Sequence, residues 1–296
     1  MHPTWQNLDR LSRTYGDSFY LLNVDAFRRN YSEFLAAFRR SYPEATIAYS
    51  YKTNYIPRLG RIVSELGGYA EVVSQMEYEL AVKLGVPPAR IIFNGPYKEP
   101  AHLAAALHAG SIVNLDATYE VDTVEALSRD QPGRTFTVGV RCNFDSGAGN
   151  VSRFGFDIES PEFVAVLTRL RALPNCVLGG LHCHFSTRER SAASYALRVR
   201  TLLGLCARHF AEAPPRFLNV GGGFFSRMSA ELQAQFAISA PTFEEYAAAI
   251  ATPLAEAFPR APRPELILEP GAALTADVMQ FAARIVGLKT VRAQQF

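Results

Sequence analysis

Along this chain the apolar positions follow two alternating rhythms. Short runs dense in β-branched and apolar residues recur between longer stretches whose apolar residues return every three or four positions. The short runs number eight, at 46–52 (TIAYSYK), 69–73 (YAEVV), 91–94 (IIFN), 111–116 (SIVNLD), 137–143 (TVGVRCN), 178–184 (LGGLHCH), 217–223 (FLNVGGG) and 265–270 (ELILEP). The longer stretches predict amphipathic helices over 57–66, 75–84, 100–109, 161–173, 192–210 and 242–258, among others. Strand and helix alternating in this way predict βα units on a parallel sheet. Eight such units over 46–270 match the strand number and approximate length of a closed (β/α)8 barrel. An open doubly wound sheet is the structural alternative, but no GxGxxG follows the first strand as a dinucleotide fold requires.

Two segments fall outside that repeat. Residues 18–24 (SFYLLNV) predict a further strand, followed by a helix over 26–40, and residues 280–291 (QFAARIVGLKTV) alternate in a β-prone pattern after the last barrel strand. The expected organisation is an entry strand and helix over 1–40, a barrel over 41–275, and over 276–296 the start of a β domain that breaks off unfinished, the N- and C-terminal strands both belonging to that incomplete second domain.

Composition narrows the function. Hydrophobic residues make up 48% and charged residues 20% of the 296, which is the balance of a packed soluble globule and not of a disordered chain. Thirty Lys and Arg nearly cancel 28 Asp and Glu, so charge offers no argument for nucleic acid or an anionic membrane, and a small molecule is the expected partner. The N-terminus, MHPTWQNLDR, lacks the apolar core of a secretory signal, and no stretch is apolar for the length of a membrane span, so the expected location is the cytoplasm. Cys142, Cys176, Cys183 and Cys206 are scattered without a CxxC pair and read as reduced structural thiols. The Asn-X-Ser matches at Asn30 and Asn150 matter only in a secreted protein.

A β/α barrel carries its active site where the strands end. Here the first run ends at Lys52, the second carries Glu71 and Ser74, the sixth ends His182-Cys183-His184, the seventh Gly221-Gly222-Gly223, and the eighth Glu269-Pro270-Gly271. Lys52 closes an apolar, aromatic strand, where desolvation lowers an ammonium pKa and makes a nucleophile; it also reads as a lysine snorkelling to the rim or paired with Glu71. Three glycines leave amides uncovered for phosphate oxygens, or serve only a tight turn. His182 and His184, two apart on a strand, point to one side. No further histidine lies at another strand end, which disfavours a catalytic metal and leaves an imidazole lying on an aromatic cofactor, or a core histidine satisfied by backbone. Glu269 emerges from a buried strand and needs a cationic partner: a protonated pyridine nitrogen, or a structural Arg or Lys.

Taken in order, these motifs resemble the fold type III pyridoxal 5′-phosphate (PLP) decarboxylases, the diaminopimelate, ornithine and arginine decarboxylase family. Tyr49-Ser50-Tyr51-Lys52-Thr53-Asn54 is similar to the family's Schiff-base lysine motif, and Ala70-Glu71-Val72-Val73-Ser74-Gln75-Met76-Glu77 to its second-strand motif. Ser152-Arg153-Phe154-Gly155 resembles its Ser-Lys-Phe-Gly, Gly180-Leu181-His182-Cys183-His184 its histidine motif, 219–223 its glycine nest, and Glu269-Pro270-Gly271 its pyridine-binding glutamate. The resemblance implies an alanine-racemase-type barrel, PLP as cofactor, an amino acid or amino-acid derivative as substrate, decarboxylation as the reaction and a homodimer as the working form. It implies that Lys52 forms the Schiff base, His184 stacks on the ring, Glu269 bonds the pyridine nitrogen and Glu71 lies near the Schiff base. Gly221, Gly222, Gly223 and Gly271 with Thr187 then hold the phosphate, and Lys52 and His184 are the catalytic pair.

Three departures modify this. Ser186-Thr187 stands where the family has Gly-Ser, which keeps a hydroxyl but loses the small residue. Ala272 stands where the family has the arginine that helps bind phosphate and a substrate carboxylate, which favours a different substrate, a larger amino-acid conjugate among the candidates. The Cys-Asp pair that the family's β domain sends into the neighbouring subunit's site is absent. Two other functions share the barrel. A racemase or epimerase pairs the cofactor nitrogen with arginine, against which Glu269 argues. A homologue that binds cofactor without turnover is the other.

Overall fold

The computed structural model describes residues 3–146, 149, 151–185, 190–228, 234–235 and 239–295. The chain begins with α1 (Trp5–Tyr15), β1 (Ser18–Leu22) and α2 (Val24–Arg39). The barrel then runs β2 (Ala45–Ser50), α3 (Pro57–Glu65), β3 (Tyr69–Val72), α4 (Gln75–Lys83), β4 (Ile91–Phe93), α5 (Pro100–His108), β5 (Ile112–Leu115), α6 (Thr118–Asp130) and β6 (Phe136–Asn143). It continues through a two-residue β7 (Phe156–Asp157), α7 (Pro161–Ala172), β8 (Cys176–His182), α8 (Ala192–His209), β9 (Phe217–Asn219), α9 (Phe243–Ala257) and β10 (Glu265–Leu268). After it come α10 (Ala272–Thr275), β11 (Met279–Ala283), β12 (Thr290–Val291) and β13 (Gln294–Gln295).

Eight parallel strands close the ring in the order β2, β3, β4, β5, β6, β8, β9, β10, with β10 returning to β2 through Leu266↔Ala45 to Leu268↔Ile47. The eight runs of the sequence are these eight strands. The first stops earlier than its apolar pattern: β2 ends at Ser50, and Lys52 sits on a 3-10 turn over Tyr51–Thr53. Helix starts are chemically marked. Thr242 and Glu245 form a reciprocal capping box on α9, and Ser74, read as a candidate site residue, accepts the Glu77 amide as the N-cap of α4.

Apolar burial is divided between two places. The larger core lies between the barrel wall and the helices, with Phe27, Phe34, Phe38, Tyr195, Phe224 and Tyr246 among its largest side chains. A smaller cluster of Ala48, Ile92, Phe217 and Ile267 fills the barrel interior. Because this plug is apolar and packed, the polar groups at the C-terminal ends of the strands have only the barrel mouth to face.

Outside the ring, the N- and C-terminal strands, expected to share one incomplete β domain, pair with each other. β1 and β11 run antiparallel from Ser18↔Ala283 to Leu22↔Met279. The alternation of 280–291 does not become one continuous strand: it pairs with β1 as far as Ala283, opposite Ser18, and returns to strand only at Thr290–Val291, which pairs with Gln294–Gln295. Helix α1 has no buried residue; Arg284 holds it through Asp9 at 3.3 Å and binds the neighbouring Asp17 at 3.0 Å. Asn30 is buried and donates to the Leu274 carbonyl and to Asp277, so it is not an accessible glycosylation site; Asn150 lies outside the described residues.

Candidate active site

At the mouth of the barrel a cavity of about 210 Å³ is lined by Lys52, Glu71, Val73, Asn94, Pro96, Arg141, Phe154, His182, His184 and Glu269. These side chains arrive from the C-terminal ends of β2, β3, β4, β6, β8 and β10 or the segments that follow them, as parallel strands with a common direction require. The Lys52 ammonium lies 2.8 and 3.0 Å from the two carboxylate oxygens of Glu71. Glu71 is fully buried and also accepts from Ser50 Oγ and from Asn94 Nδ2 at 3.1 Å. The same Asn94 amide nitrogen donates to Glu269 Oε1 at 2.5 Å, and Asn219 Nδ2 donates to that oxygen at 2.7 Å. Asn114 in turn donates to Asn94 Oδ1 at 2.7 Å, which fixes the Asn94 amide so that its nitrogen faces both carboxylates. Glu269 Oε2 is buried and has no partner among the described residues. A buried carboxylate oxygen with nothing to accept from is costly unless a donor joins it there.

The electrostatics differ from the sequence expectation at Lys52. Burial alone pushes its ammonium pKa down, but the carboxylates of Glu71 and Glu269 together outweigh burial and raise it above the ordinary lysine value. A strand-end lysine in an apolar setting was expected to be depressed; two nearby anions reverse the sign. The sign also sets a pH dependence. A lysine whose folded pKa exceeds its unfolded value contributes stability that is fully present below the ordinary 10.5 and is lost as pH rises through the raised value. The stability gap between the native chain and Lys52→Met is therefore expected to be constant from pH 7 to pH 9 and to close at higher pH, as melting temperatures across that range check.

Burial also works against a charged Glu269, yet His182, protonated only in acid, and the Lys52 ammonium beside it hold its pKa below the usual carboxylate range, so it is ionised at neutral pH. His182, 3.6 Å away and wholly enclosed, is itself pushed down by burial and is neutral. His184 is pushed further down, by burial and then by Lys52. Its Nδ1 accepts the Gly222 N–H at 3.0 Å, so the neutral ring carries its proton on Nε2.

The glycines do more than expose amides. Gly221 has φ +73°, and a Cβ there stands 2.5 Å from the Cys183 carbonyl; one on Gly222 stands 2.2 Å from the Glu269 carbonyl. The amides of Gly221 and Gly222 are already engaged, by Asn219 Oδ1 at 2.9 Å and by His184 Nδ1. Gly223 completes the turn with φ +99°, and a side chain on Gly271 collides with Thr53 beside Lys52. The turn therefore positions His184 and Asn219 as well as offering a nest. Thr187 lies outside the described residues.

The family model described as pyridoxal-dependent decarboxylase, pyridoxal binding domain, matches residues 28–276. The chain belongs to that family. Its cofactor is accordingly pyridoxal phosphate, and the lone Oε2 of Glu269, facing a cavity that also holds an amine and an imidazole, fits a protonated pyridine ring. The diaminopimelate decarboxylase of Aquifex aeolicus is 26% identical over 228 residues, covering 73% of this chain and 53% of that protein. That of Methanocaldococcus jannaschii is 24% identical over 294 residues, covering 94% and 66%. The chain thus spans between half and two thirds of the length of these relatives. In fold, it matches the crystal structure of the M. jannaschii enzyme in complex with L-lysine with a TM-score of 0.84 at 22% identity, over 98% of this chain and 68% of that one. The lysine/ornithine decarboxylase of Vibrio vulnificus, complexed with putrescine, matches with 0.77 at 20%, over 99% and 75%.

Within this family frame, Lys52, Glu71, His184 and Glu269 converge on one cavity, with Gly221, Gly222 and Gly223 behind His184 and Gly271 against the Lys52 turn. Arg141, Asn94, Asn114 and Asn219 were not picked out as site residues. Arg141 is buried, bonds Asp116 at 3.0 Å and the His184 carbonyl at 3.2 Å, and lies 4.9 Å from the Phe154 ring. An arginine inside the apolar run TVGVRCN was the available signal, since a charge is rarely buried on a strand without a partner.

Proposed function

We propose that this chain is the cofactor-binding part of a PLP-dependent amino-acid decarboxylase in which Lys52 forms the Schiff base with the cofactor aldehyde. The observation that carries this reading is the arrangement of two buried carboxylates bridged by one amide, one facing an amine and the other presenting an oxygen that has no partner among the described residues. When bound, the ring supplies an electron sink for the pair left behind as carbon dioxide departs.

The chain's own groups divide the remaining tasks. Lys52 is protonated at rest, so Nζ must lose a proton before it attacks an aldehyde, and Glu71 at 2.8 Å is the nearest acceptor. Glu269 Oε2 would accept from the nitrogen of the bound ring and hold a proton there, and Asn94 and Asn219 keep the carboxylate from turning. His184, neutral and held by Gly222, offers a flat uncharged face for stacking on the ring. Gly223 and Gly271, with Thr187, are assigned to the phosphate. Glu269, a carboxylate where a racemase of this barrel carries arginine, favours decarboxylation over racemisation.

The β1–β11 ribbon is read as the root of a second β domain and the homodimer as the working form; Tyr20, Phe281, Ile285, Val286 and Leu288 support this as an exposed apolar face beside the barrel. Ala272, at the place of the family arginine, widens the expected substrates from diaminopimelate and ornithine to amino-acid conjugates. Purified protein with PLP is expected to develop a visible absorbance band that Lys52→Ala abolishes, and to release carbon dioxide from a member of a panel of such substrates. A band unchanged by Lys52→Ala refutes the Schiff-base assignment. Racemisation of a panel member without carbon dioxide release transfers the chain to the racemase reading.

A further inference from the structure

Beneath the glycine turn lies a buried cation that the reaction above does not use. Arg198, on α8, is 1% exposed, and no carboxylate among the described residues lies within ion-pair reach of it. Its guanidinium is 4.2 Å from the centre of the Tyr195 ring and 5.6 Å from that of Phe185, and its Nε has no hydrogen-bond partner among the described residues. What it reaches is backbone. Nη1 donates to the Gly222 carbonyl at 3.4 Å and Nη2 to the Phe185 carbonyl at 3.5 Å, and Tyr195 Oη donates to the same Gly222 carbonyl at 2.8 Å.

Two consequences follow from elementary geometry and charge. The Gly222–Gly223 peptide is trans, so pinning its carbonyl on the α8 side turns the Gly223 N–H the opposite way, toward the barrel. The amides of Gly221 and Gly222 are consumed inside the protein, which makes the Gly223 amide the one of the three for which orientation matters most to an incoming anion. A buried guanidinium without a counter-ion among the described residues is expensive, and its field extends through the turn it supports. A dianionic phosphate on the far side of that turn relieves the cost.

We infer that Arg198, with Tyr195, is a positioning residue for the cofactor's phosphate, acting through the Gly222–Gly223 peptide and supplying from α8 the positive charge that Ala272 leaves missing. This inference rests on the cofactor reading above and adds to it the source of phosphate recognition. It predicts that Arg198 matters to phosphate-bearing ligands and not to the rest of the cofactor.

Titrations of PLP and of pyridoxal, which lacks the phosphate, are read from the visible band of the native chain, Arg198→Met, Arg198→Lys and Tyr195→Phe. Arg198→Met is expected to weaken PLP by at least about tenfold, the size of one charge-assisted hydrogen bond, and to leave pyridoxal unchanged. Arg198→Lys is expected to recover part of the loss, and Tyr195→Phe, which keeps the packed ring, to show a smaller loss confined to PLP. Equal weakening of both ligands, or none of PLP, overturns the inference. Inorganic phosphate without cofactor gives a second readout: it should raise the melting temperature of the native chain and of Lys52→Ala, but not of Arg198→Met. A phosphate shift that persists in Arg198→Met also overturns the inference. An Arg198-dependent phosphate shift without any Lys52-dependent band leaves the anion site standing and removes the Schiff-base reading.

Discussion

Glu120→Leu is expected to cost about 3–5 kcal/mol of unfolding free energy, the size typical of breaking one side of a buried ion pair. Glu120 and Lys98 are both completely enclosed, with Nζ at 3.0 and 3.1 Å from the two carboxylate oxygens. Leucine leaves the ammonium with the Gly95 carbonyl at 2.7 Å as its one hydrogen-bond acceptor among the described residues, and it removes the acceptor of the Asp116 N–H. Burial pushes Lys98 down and Glu120 up despite their proximity, so desolvation costs more than pairing returns. The double variant Lys98→Met/Glu120→Leu should therefore regain most of the loss. Urea melts of the two single variants and the double variant decide this, and a single-variant loss under about 1 kcal/mol removes the argument. The pair also reaches the site. Glu120 anchors Asp116, Asp116 holds Arg141, and Arg141 donates to the His184 carbonyl, so Glu120→Leu should weaken cofactor binding as well as the fold.

Glu269→Gln should leave the fold and the visible band in place and lower the rate of carbon dioxide release by roughly 100-fold or more, the size of losing one oriented electrostatic partner. Glutamine can keep its oxygen under the amides of Asn94 and Asn219. Its nitrogen then occupies the place of Oε2 and donates where the carboxylate accepted, so it cannot hold a proton on a ring nitrogen. Stability at neutral pH should fall, because a carboxylate whose pKa the folded protein holds below its ordinary value contributes stability that neutral glutamine lacks. Single-turnover rates at saturating PLP separate this outcome from loss of binding. An unchanged rate rules out the assigned role of Glu269.

Much of the fold was legible along the chain because it depends on local periodicity. Each barrel strand needs an apolar run and each helix an apolar stripe, and both patterns are written over fewer than twenty consecutive residues. Lys52, Glu71, His184 and Glu269 were legible for a related reason: a parallel barrel carries every strand end to one mouth, so position on a strand already implies a shared site. The pairing of β1 with β11 was less so, since it joins segments at opposite ends of the chain whose alternation names no partner.

The sequence by itself determined the strand count, the closed barrel they form, and the ring of chemical side chains at its mouth. The tertiary structure alone decided what those side chains experience. Asn94 touches Glu71, 23 residues away, and Glu269, 175 residues away, and no local pattern marks an asparagine for that task. The sign of the Lys52 shift was decided the same way, because burial and two carboxylates oppose each other there and only their distances fix which prevails. Periodicity is a property of neighbours along the chain, whereas electrostatic environment is a sum over neighbours in space.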